Sequence, residues 1–261
     1  MLLNRWLVIV ALGVVLNVTV SGVKLAWGYL PPAHQIIQFV AQKTAMVYNF
    51  RLDVLAEIPD PDHPGVMISR QMVYHANRPD YLRQEVVDET KSGTILIGSG
   101  RRLSVVDGHL LVEKPRHEEI FPSLLFANSA ETIKRLLVGE QVDMGEVHLG
   151  RMGGQIAYVI GGQPREPDAP QFWCDKDHFW PLRLVGRRSR QGVADLVDIR
   201  LLSYQEVAND IWMPSVIEFY RQRQLFLRLV VQKTYHNRRL EERLFDLGAF
   251  MTGHKQMILP K

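Results

Sequence analysis

The feature that most constrains the fold is a regular alternation of apolar and polar residues along much of the chain. In the segment VYNFRLDVLAEI, Tyr48, Phe50, Leu52, Val54 and Ala56 alternate with polar residues. A period of two is typical of a β-strand with one face buried and the other in water. Similar segments recur as far as QLFLRLVVQKTY and are joined by short links. Short links connect neighbouring strands in opposite directions, so the sequence predicts an antiparallel sheet.

Two regions replace this alternation with helical spacing. AHQIIQFVAQKTA predicts a short amphipathic helix ahead of the first strand. The region 118–140 predicts a pair of short helices, the second capped by Asn128 or Ser129. Its apolar residues stand three and four apart and include Phe121, Leu124, Leu125, Ile133, Leu136 and Leu137. The sequence contains no interior linker or repeat, so we predict one mainly β (α+β) domain.

The first 28 residues have the pattern of a secretory signal peptide. Arg5 precedes an apolar run, Trp6–Val23, and the small residues Ala26 and Gly28 stand at the spacing of a cleavage site. Cleavage after Gly28 is the first choice, and cleavage after Gly22 is the second. The alternative is an uncleaved inner-membrane anchor, because the apolar run is close to the minimum length of a membrane span.

Composition and charge argue against a nucleic-acid-binding protein. The net charge of +3 is small, and the short basic runs are followed by acidic residues, a pattern typical of a solvated surface. The single cysteine, Cys174, excludes an internal disulfide, so stability must come from a packed core. We expect Cys174 to be a buried strand residue, because no neighbour is arranged to activate a thiolate.

Three short motifs resemble catalytic or metal sites, but none has the arrangement of residues that such a site requires. The residues around Ser99 lack the G-x-S-x-G pattern of a nucleophile elbow. HEEIF, which begins at His117, lacks the second histidine of a zinc-binding helix. The run CDKDH, residues 174–178, places neighbouring side chains on opposite faces of a strand. We therefore expect a protein that is not an enzyme and needs neither metal nor cofactor.

The predicted sheet raises the question of what covers its apolar face. A long antiparallel sheet must curl or be covered by other elements. Two short helices cannot cover about ten strands tightly, which leaves an apolar interior able to hold an apolar ligand. A fully packed core gives the same periodicities and is the interpretation that periodicity alone favours.

One long segment resembles the periplasmic outer-membrane lipoprotein carriers of the LolA-like family. In VYHANRPDYLRQEVVDETKSGTILIGSGRRLSVVDG a strand ends at an Arg-Pro pair, as in that family, and the next strand begins with an aromatic residue. A hydrophobic strand then leads to a hairpin. These features are Arg78-Pro79, Tyr81, TILIGSG and Asp107-Gly108. The lid segment, FPSLLFANSAE at residues 121–131, stands where the family places its lid helix.

Two further segments are similar to broader members of the same superfamily. FWCDKDHFWPLRL resembles a strand-turn-strand of these proteins, and NRRLEERLFDL resembles a closing segment that docks on the sheet through Leu244 or Phe245. The resemblance covers most of residues 33–248. It implies an unclosed antiparallel β-barrel wrapped over short helices, with a hydrophobic cavity for acyl chains. We therefore predict a signal peptide at 1–28, a LolA-like domain at 29–250 and a tail at 251–261.

The resemblance also implies a function. It implies a periplasmic monomer that binds the acyl chains of lipoproteins or lipids and shuttles them toward the outer membrane, between an inner-membrane donor and an outer-membrane acceptor. One alternative is an envelope-stress or regulatory sensor of the same fold that signals to a membrane partner. A second alternative is a structural or interaction domain with a filled core. No nucleic-acid partner is expected.

Two sets of site residues follow from these considerations. The predicted ligand cavity is lined by the apolar faces of the first two strands and the lid region, through Tyr48, Phe50, Leu52, Met72, Tyr74, Phe121, Leu124, Leu125, Ile133 and Leu136. A charge at Phe50 is expected to abolish binding and leave the strands intact. Pro79 ends the strand pairing and leaves the Arg78 guanidinium free to reach across the sheet. The resemblance implies that it reaches backbone carbonyls at the end of the lid segment, so the predicted lid latch joins Arg78 to Phe126, Ala127 and Asn128. The alternative is a surface arginine at a strand end.

Overall fold

The structure is a computed structural model that describes residues 30–78, 80–87, 93–106, 109–163, 165–190 and 193–256. The predicted signal peptide, residues 1–28, lies outside this part of the chain. Pro79, the predicted Asp107-Gly108 hairpin and the end of the predicted tail, residues 257–261, also lie outside it.

The strands of the described residues form one sheet of fourteen. Six strands precede the lid segment: β1 (Asn49–Pro59), β2 (Met67–Asn77), β3 (Tyr81–Val86), β4 (Thr94–Gly98), β5 (Arg101–Val106) and β6 (His109–Glu113). Eight follow it: β7 (Val147–Met152), β8 (Gln155–Ile160), β9 (Gln171–Asp175), β10 (Pro181–Arg190), β11 (Val193–Ala208), β12 (Ile211–Arg221), β13 (Gln224–His236) and the two-residue β14 (Lys255–Gln256).

The order of the strands joins the two halves of the chain in the middle of the sheet. It runs β14-β6-β5-β4-β3-β2-β1-β13-β12-β11-β10-β9-β8-β7. At the junction β1 pairs antiparallel with β13, and Phe50 lies opposite His236. Only the terminal pair of the described strands, β14 with β6, is parallel. β14 and β7 stand at opposite ends of this order, so the predicted unclosed antiparallel sheet is confirmed.

The helices form where the sequence changes period. They are α1 (Ala33–Thr44), α2 (Phe121–Leu125), α3 (Ala130–Gly139) and α4 (Leu247–Thr252). Short 3-10 turns, His117–Ile120 and Glu242–Phe245, precede α2 and α4. Of the two predicted caps of α3, Ser129 performs this role, because its hydroxyl oxygen accepts the Thr132 backbone N–H at 3.2 Å. Among the described helices, none has the length and apolar character needed to cross a membrane.

The main core lies between α1–α3 and one face of the sheet, called here the inner face. On β1 the alternating residues Phe50, Leu52, Val54 and Ala56 all point to this face and are buried. The apolar stripe of α1 packs against them through Ile36, Ile37, Val40 and Ala41. Close packing of these side chains stabilises the curled sheet.

The outer face of β4–β6 is covered by the C-terminal segment. Leu96, Leu103 and Leu110 form a second apolar cluster there with Phe245 and Phe250. Phe245 is buried, which agrees with the expectation that this segment docks back on the sheet. The predicted start of the tail, residue 251, lies within α4. The C-terminal segment therefore packs on the face opposite to that of the lid segment.

Candidate functional site

A cavity of about 310 Å³ opens on the inner face, between the two halves of the sheet. Its apolar lining consists of Ile58, Met72, Ile95, Phe121, Phe219, Phe226 and Leu227. Its polar lining consists of Tyr74, Gln84, Arg102, Arg116, Glu118 and Glu119. The volume is at the lower end of the range of about 300–1,000 Å³ that is usual for small-molecule sites.

Strand pairing and α2 together place these side chains around one space. Tyr74 on β2 lies opposite Gln84 on β3, and Phe219 on β12 lies opposite Leu227 on β13. The Phe121 ring, at the start of α2, contacts both halves edge to face. Its centroid lies 5.8 Å from that of Tyr74 and 5.6 Å from that of Phe219. Phe121 therefore connects the two sides of the cavity.

Three of the ten predicted cavity residues line this space: Met72, Tyr74 and Phe121. Six others belong to the packed core or lie against it: Phe50, Leu52, Leu124, Leu125, Ile133 and Leu136. The Phe50 ring packs against the Phe126 ring at a centroid distance of 5.4 Å. A charge at Phe50 is therefore expected to disrupt the fold rather than remove binding alone, which corrects the expectation from sequence.

Tyr48 is placed differently from the prediction. It precedes β1, its side chain is on the surface with 47% exposure, and its hydroxyl donates to the Asn237 carbonyl oxygen at 2.6 Å. The alternation that includes Tyr48 continues into β1, but the first paired residue is Asn49. Tyr48 thus joins two loops and does not line the cavity.

The opposite wall of the cavity was not predicted. Phe219, Phe226 and Leu227 lie in the second half of the chain, and the alternation in β12 and β13 marks them as strand residues. Their place beside Met72 depends on the pairing of β1 with β13. That long-range pairing has no local signal in the sequence.

Arg102 organises the polar wall. It is 3% exposed, and its Nε donates to Glu119 Oε1 at 2.8 Å. Its Nη1 donates to Glu113 Oε2 at 2.5 Å and to Ser104 Oγ at 3.0 Å. Glu118 accepts from Arg221 Nη2 at 2.9 Å. Burial raises the pKa of Glu119 although hydrogen bonds from Arg102 and the Arg116 backbone oppose it. The wall is therefore a set of paired charges.

Arg78 joins the lid segment to the end of α1. Its Nε donates to the Phe126 carbonyl oxygen at 2.8 Å. Its Nη2 donates to the carbonyl oxygens of Thr44 (3.3 Å), Ala45 (3.0 Å) and Val47. The last carbonyls of a helix lack intrahelical donors and carry partial negative charge, which suits a guanidinium. Burial lowers the pKa of Arg78, yet arginine remains charged in proteins.

The structure brings Arg78 to one of its three predicted acceptors. Phe126 accepts directly, whereas the Ala127 carbonyl accepts from the Thr44 hydroxyl at 2.9 Å. The Asn128 side chain accepts from the Thr132 hydroxyl at 3.0 Å. Phe126 and Ala127 therefore belong to one hydrogen-bonded joint with Arg78 and the end of α1, whereas Asn128 bonds within the start of α3. The latch function of this joint stays a prediction.

A buried pair holds the turn before α2 against the sheet. His117 Nε2 lies in hydrogen-bond contact with Glu140 Oε2, and their side chains are 4% and 0% exposed. Gly186 on β10 leaves room for this pair, since a β-carbon there would lie 2.6 Å from His117 Nε2 and would also clash with the Glu140 carboxylate. The pair fixes the 3-10 turn that carries Glu118 and Glu119 into the cavity wall.

The motifs that suggested chemistry have structural roles. Cys174 is buried in β9, and burial raises the pKa of its thiol. The Asp175 carboxylate accepts the backbone N–H groups of Asp177 (3.0 Å) and His178 (2.7 Å), which closes the turn between β9 and β10. Within the described residues, no group of three or more His, Cys, Asp or Glu is arranged to hold a metal ion.

The sequence matches no family model and no curated protein. Several solved structures are similar. A domain assigned to outer membrane lipoprotein sorting from Vibrio parahaemolyticus is 13% identical, with a TM-score of 0.52, over 82% of this chain and 97% of that chain. A LolA superfamily protein from Nitrosomonas europaea is 11% identical, with a TM-score of 0.53, over 83% and 98%. A DUF1329 family protein from Desulfovibrio piger is 14% identical, with a TM-score of 0.52, over 84% and 99%.

At such low identity the likeness establishes the fold, and it confirms at that level the resemblance found in the sequence. The chain has the LolA-like fold, in which an unclosed antiparallel sheet wraps over short helices.

Proposed function

We propose that this protein is a periplasmic carrier that binds acyl chains of lipoproteins or lipids and moves them toward the outer membrane. The observation that carries the proposal is the cavity of about 310 Å³ on the inner face of the sheet. A domain with the same fold is assigned to outer membrane lipoprotein sorting, which supports this choice of ligand.

The lining gives an acyl chain enough apolar contact to bind. Phe121, Phe219, Phe226 and Leu227 approach from different elements and present mainly carbon to the cavity. Burial of each CH₂ contributes about 0.8 kcal/mol, so a chain of about a dozen carbons binds without specific polar contacts. The proposal is one of binding, with no catalytic step and no cofactor.

A long acyl chain requires more room than the described cavity offers, because α1–α3 fill most of the inner face. We propose that the lid segment moves to admit the rest of the chain. Binding then selects an open state, and apparent affinity depends on how much of that state is populated. The bonds from Arg78 to Phe126 and to the end of α1 favour the closed state.

The proposed route places the carrier, as a monomer, between an inner-membrane donor and an outer-membrane acceptor. The predicted signal peptide supports export, and an uncleaved anchor would instead favour the alternative of a membrane-linked sensor. The packed core around Phe50 and Leu52 is what the second alternative, a filled interaction domain, requires. The binding experiment below distinguishes a filled domain from a carrier.

Replacement of Leu227 by glutamate is expected to weaken binding of a fluorescent acyl-chain probe at least about tenfold. A carboxylate held against the apolar probe loses water, and this costs about 1.4 kcal/mol or more. Leu227 lines the cavity at the edge of the main core and is only half-buried, so we expect Leu227→Glu to keep the fold. Leu225 on the same strand lies opposite Tyr220 and not on the cavity, and Leu225→Glu is the matched control. Probe titration and circular dichroism of both variants make the test. Equal probe affinities in the wild type and Leu227→Glu would contradict the proposed cavity.

A further inference from the structure

We propose that Tyr74 and Gln84 select cargo whose polar end is uncharged, such as an acyl chain joined through an ester or an amide. The inference rests on the proposed function, since it names the class of acyl cargo that the same cavity takes. Free fatty acids and anionic lysolipids are therefore expected to bind more weakly than such neutral cargo.

The first observation is a pair of buried polar groups that face the cavity. Tyr74 is 2% exposed and Gln84 is 9% exposed, and they lie directly opposite each other on β2 and β3. Both side chains line the cavity. Neither the Tyr74 hydroxyl nor the Gln84 amide makes a hydrogen bond within the described residues, and both groups face the open cavity, where water is their partner. A ligand that enters the cavity displaces this water, so it binds best when it offers hydrogen-bond partners to both groups.

The chemistry of these groups suits a neutral ligand. Burial, with the negative charges of Glu119 and Glu118, raises the pKa of Tyr74, so its hydroxyl stays protonated and donates. The Gln84 side chain both donates and accepts. An ester or amide carbonyl accepts from both residues, and an amide N–H or a glycerol hydroxyl donates to the Gln84 oxygen.

The charges of the polar wall are already paired. Arg102 is bound to Glu119 and Glu113, and Glu118 is bound to Arg221. Arg116 lies 3.9 Å from Glu113, and its side chain is 47% exposed, so water screens its charge. A carboxylate or phosphate drawn to Tyr74 would add a negative charge beside Glu118 and Glu119, and the described lining of the cavity holds no unpaired buried cation to match it.

The test compares three ligands with the same acyl chain on the full-length protein: monopalmitoylglycerol, palmitate and palmitoyl lysophosphatidylglycerol. We expect monopalmitoylglycerol to bind at least about tenfold more tightly than either anionic ligand at neutral pH. Displacement of a fluorescent acyl probe below the critical micelle concentrations gives the three affinities. Equal or tighter binding of an anionic ligand overturns the inference alone, whereas failure of all three to bind overturns the proposed function.

Two conservative variants assign the selection to these residues. Tyr74→Phe removes only the hydroxyl and keeps the ring contact with Phe121, and Gln84→Met keeps the length of the side chain. Each variant is expected to lower affinity for monopalmitoylglycerol severalfold and to leave affinity for palmitate unchanged. Ile95→Val, at an apolar position of the same cavity, is the control and should lower all affinities to a similar extent. If the variant that carries both Tyr74→Phe and Gln84→Met keeps the full preference for the neutral ligand, the assignment is overturned.

Discussion

Replacement of His117 by leucine is expected to lower the free energy of unfolding by about 1–3 kcal/mol, because it removes a hydrogen-bond partner from a buried carboxylate. The imidazole contacts Glu140, whose side chain has no access to water. Urea denaturation followed by tryptophan fluorescence measures the change.

A second substitution shows whether the pair itself causes the loss. The double variant with His117→Leu and Glu140→Met is expected to lose less stability than the sum of the two single variants, because each single substitution breaks the same hydrogen bond. His34→Leu, an exposed histidine on α1, is the control and should change stability by less than about 0.5 kcal/mol. Strict additivity of the two core substitutions would contradict the proposed coupling between His117 and Glu140.

Replacement of Arg78 by leucine is expected to have two opposite effects. It should lower the free energy of unfolding by about 3 kcal/mol, because hydrogen bonds to a charged donor contribute about 1.5–3 kcal/mol each and water replaces part of them at this half-buried site. It should also raise the apparent affinity for an acyl-chain probe about tenfold and slow release to acceptor vesicles, because the closed state loses its bonds to Phe126 and α1.

The matched control for Arg78 is Arg135. Both side chains line a small cavity of about 120 Å³ beside the lid segment, but Arg135 is exposed on α3. Arg135→Leu also removes one positive charge, yet it should leave both stability and probe affinity close to those of the wild type. Unchanged affinity and unchanged release in Arg78→Leu would show that Arg78 stabilises the fold and does not act as a latch.

Patterns of apolar residues along the sequence predicted the strands and helices, because the burial of one face of each element depends on residues close together in the chain. The alternation along β1 placed Phe50, Leu52, Val54 and Ala56 on one buried face, and this is confirmed. Helical spacing predicted α1 and the pair α2 and α3, because apolar stripes on short helices have a clear period. The contact between Arg78 and Phe126 followed from the family resemblance and is present.

The cavity could be predicted only in part, because it depends on contacts between distant parts of the chain. Alternation shows that Phe50 is buried, but it does not show whether a helix or a ligand covers it. The Phe126 ring does so. In the same way, the pairing of β1 with β13 places Phe226 and Leu227 across from Met72. The partner of His117, Glu140, was also missed, since a buried pair of this kind has no spacing rule.

The position of a bound acyl chain tests the central claim most directly. A monoacylglycerol with a diazirine near the end of its chain is photolysed with the full-length protein, and the labelled peptides are identified by mass spectrometry. We predict labelling of Met72, Phe121, Phe226 and Leu227, suppressed by excess unlabelled monoacylglycerol. Competed labelling confined to the outer-face cluster of Leu96, Leu103, Leu110, Phe245 and Phe250, or an absence of competed labelling, would contradict an acyl-binding cavity on the inner face.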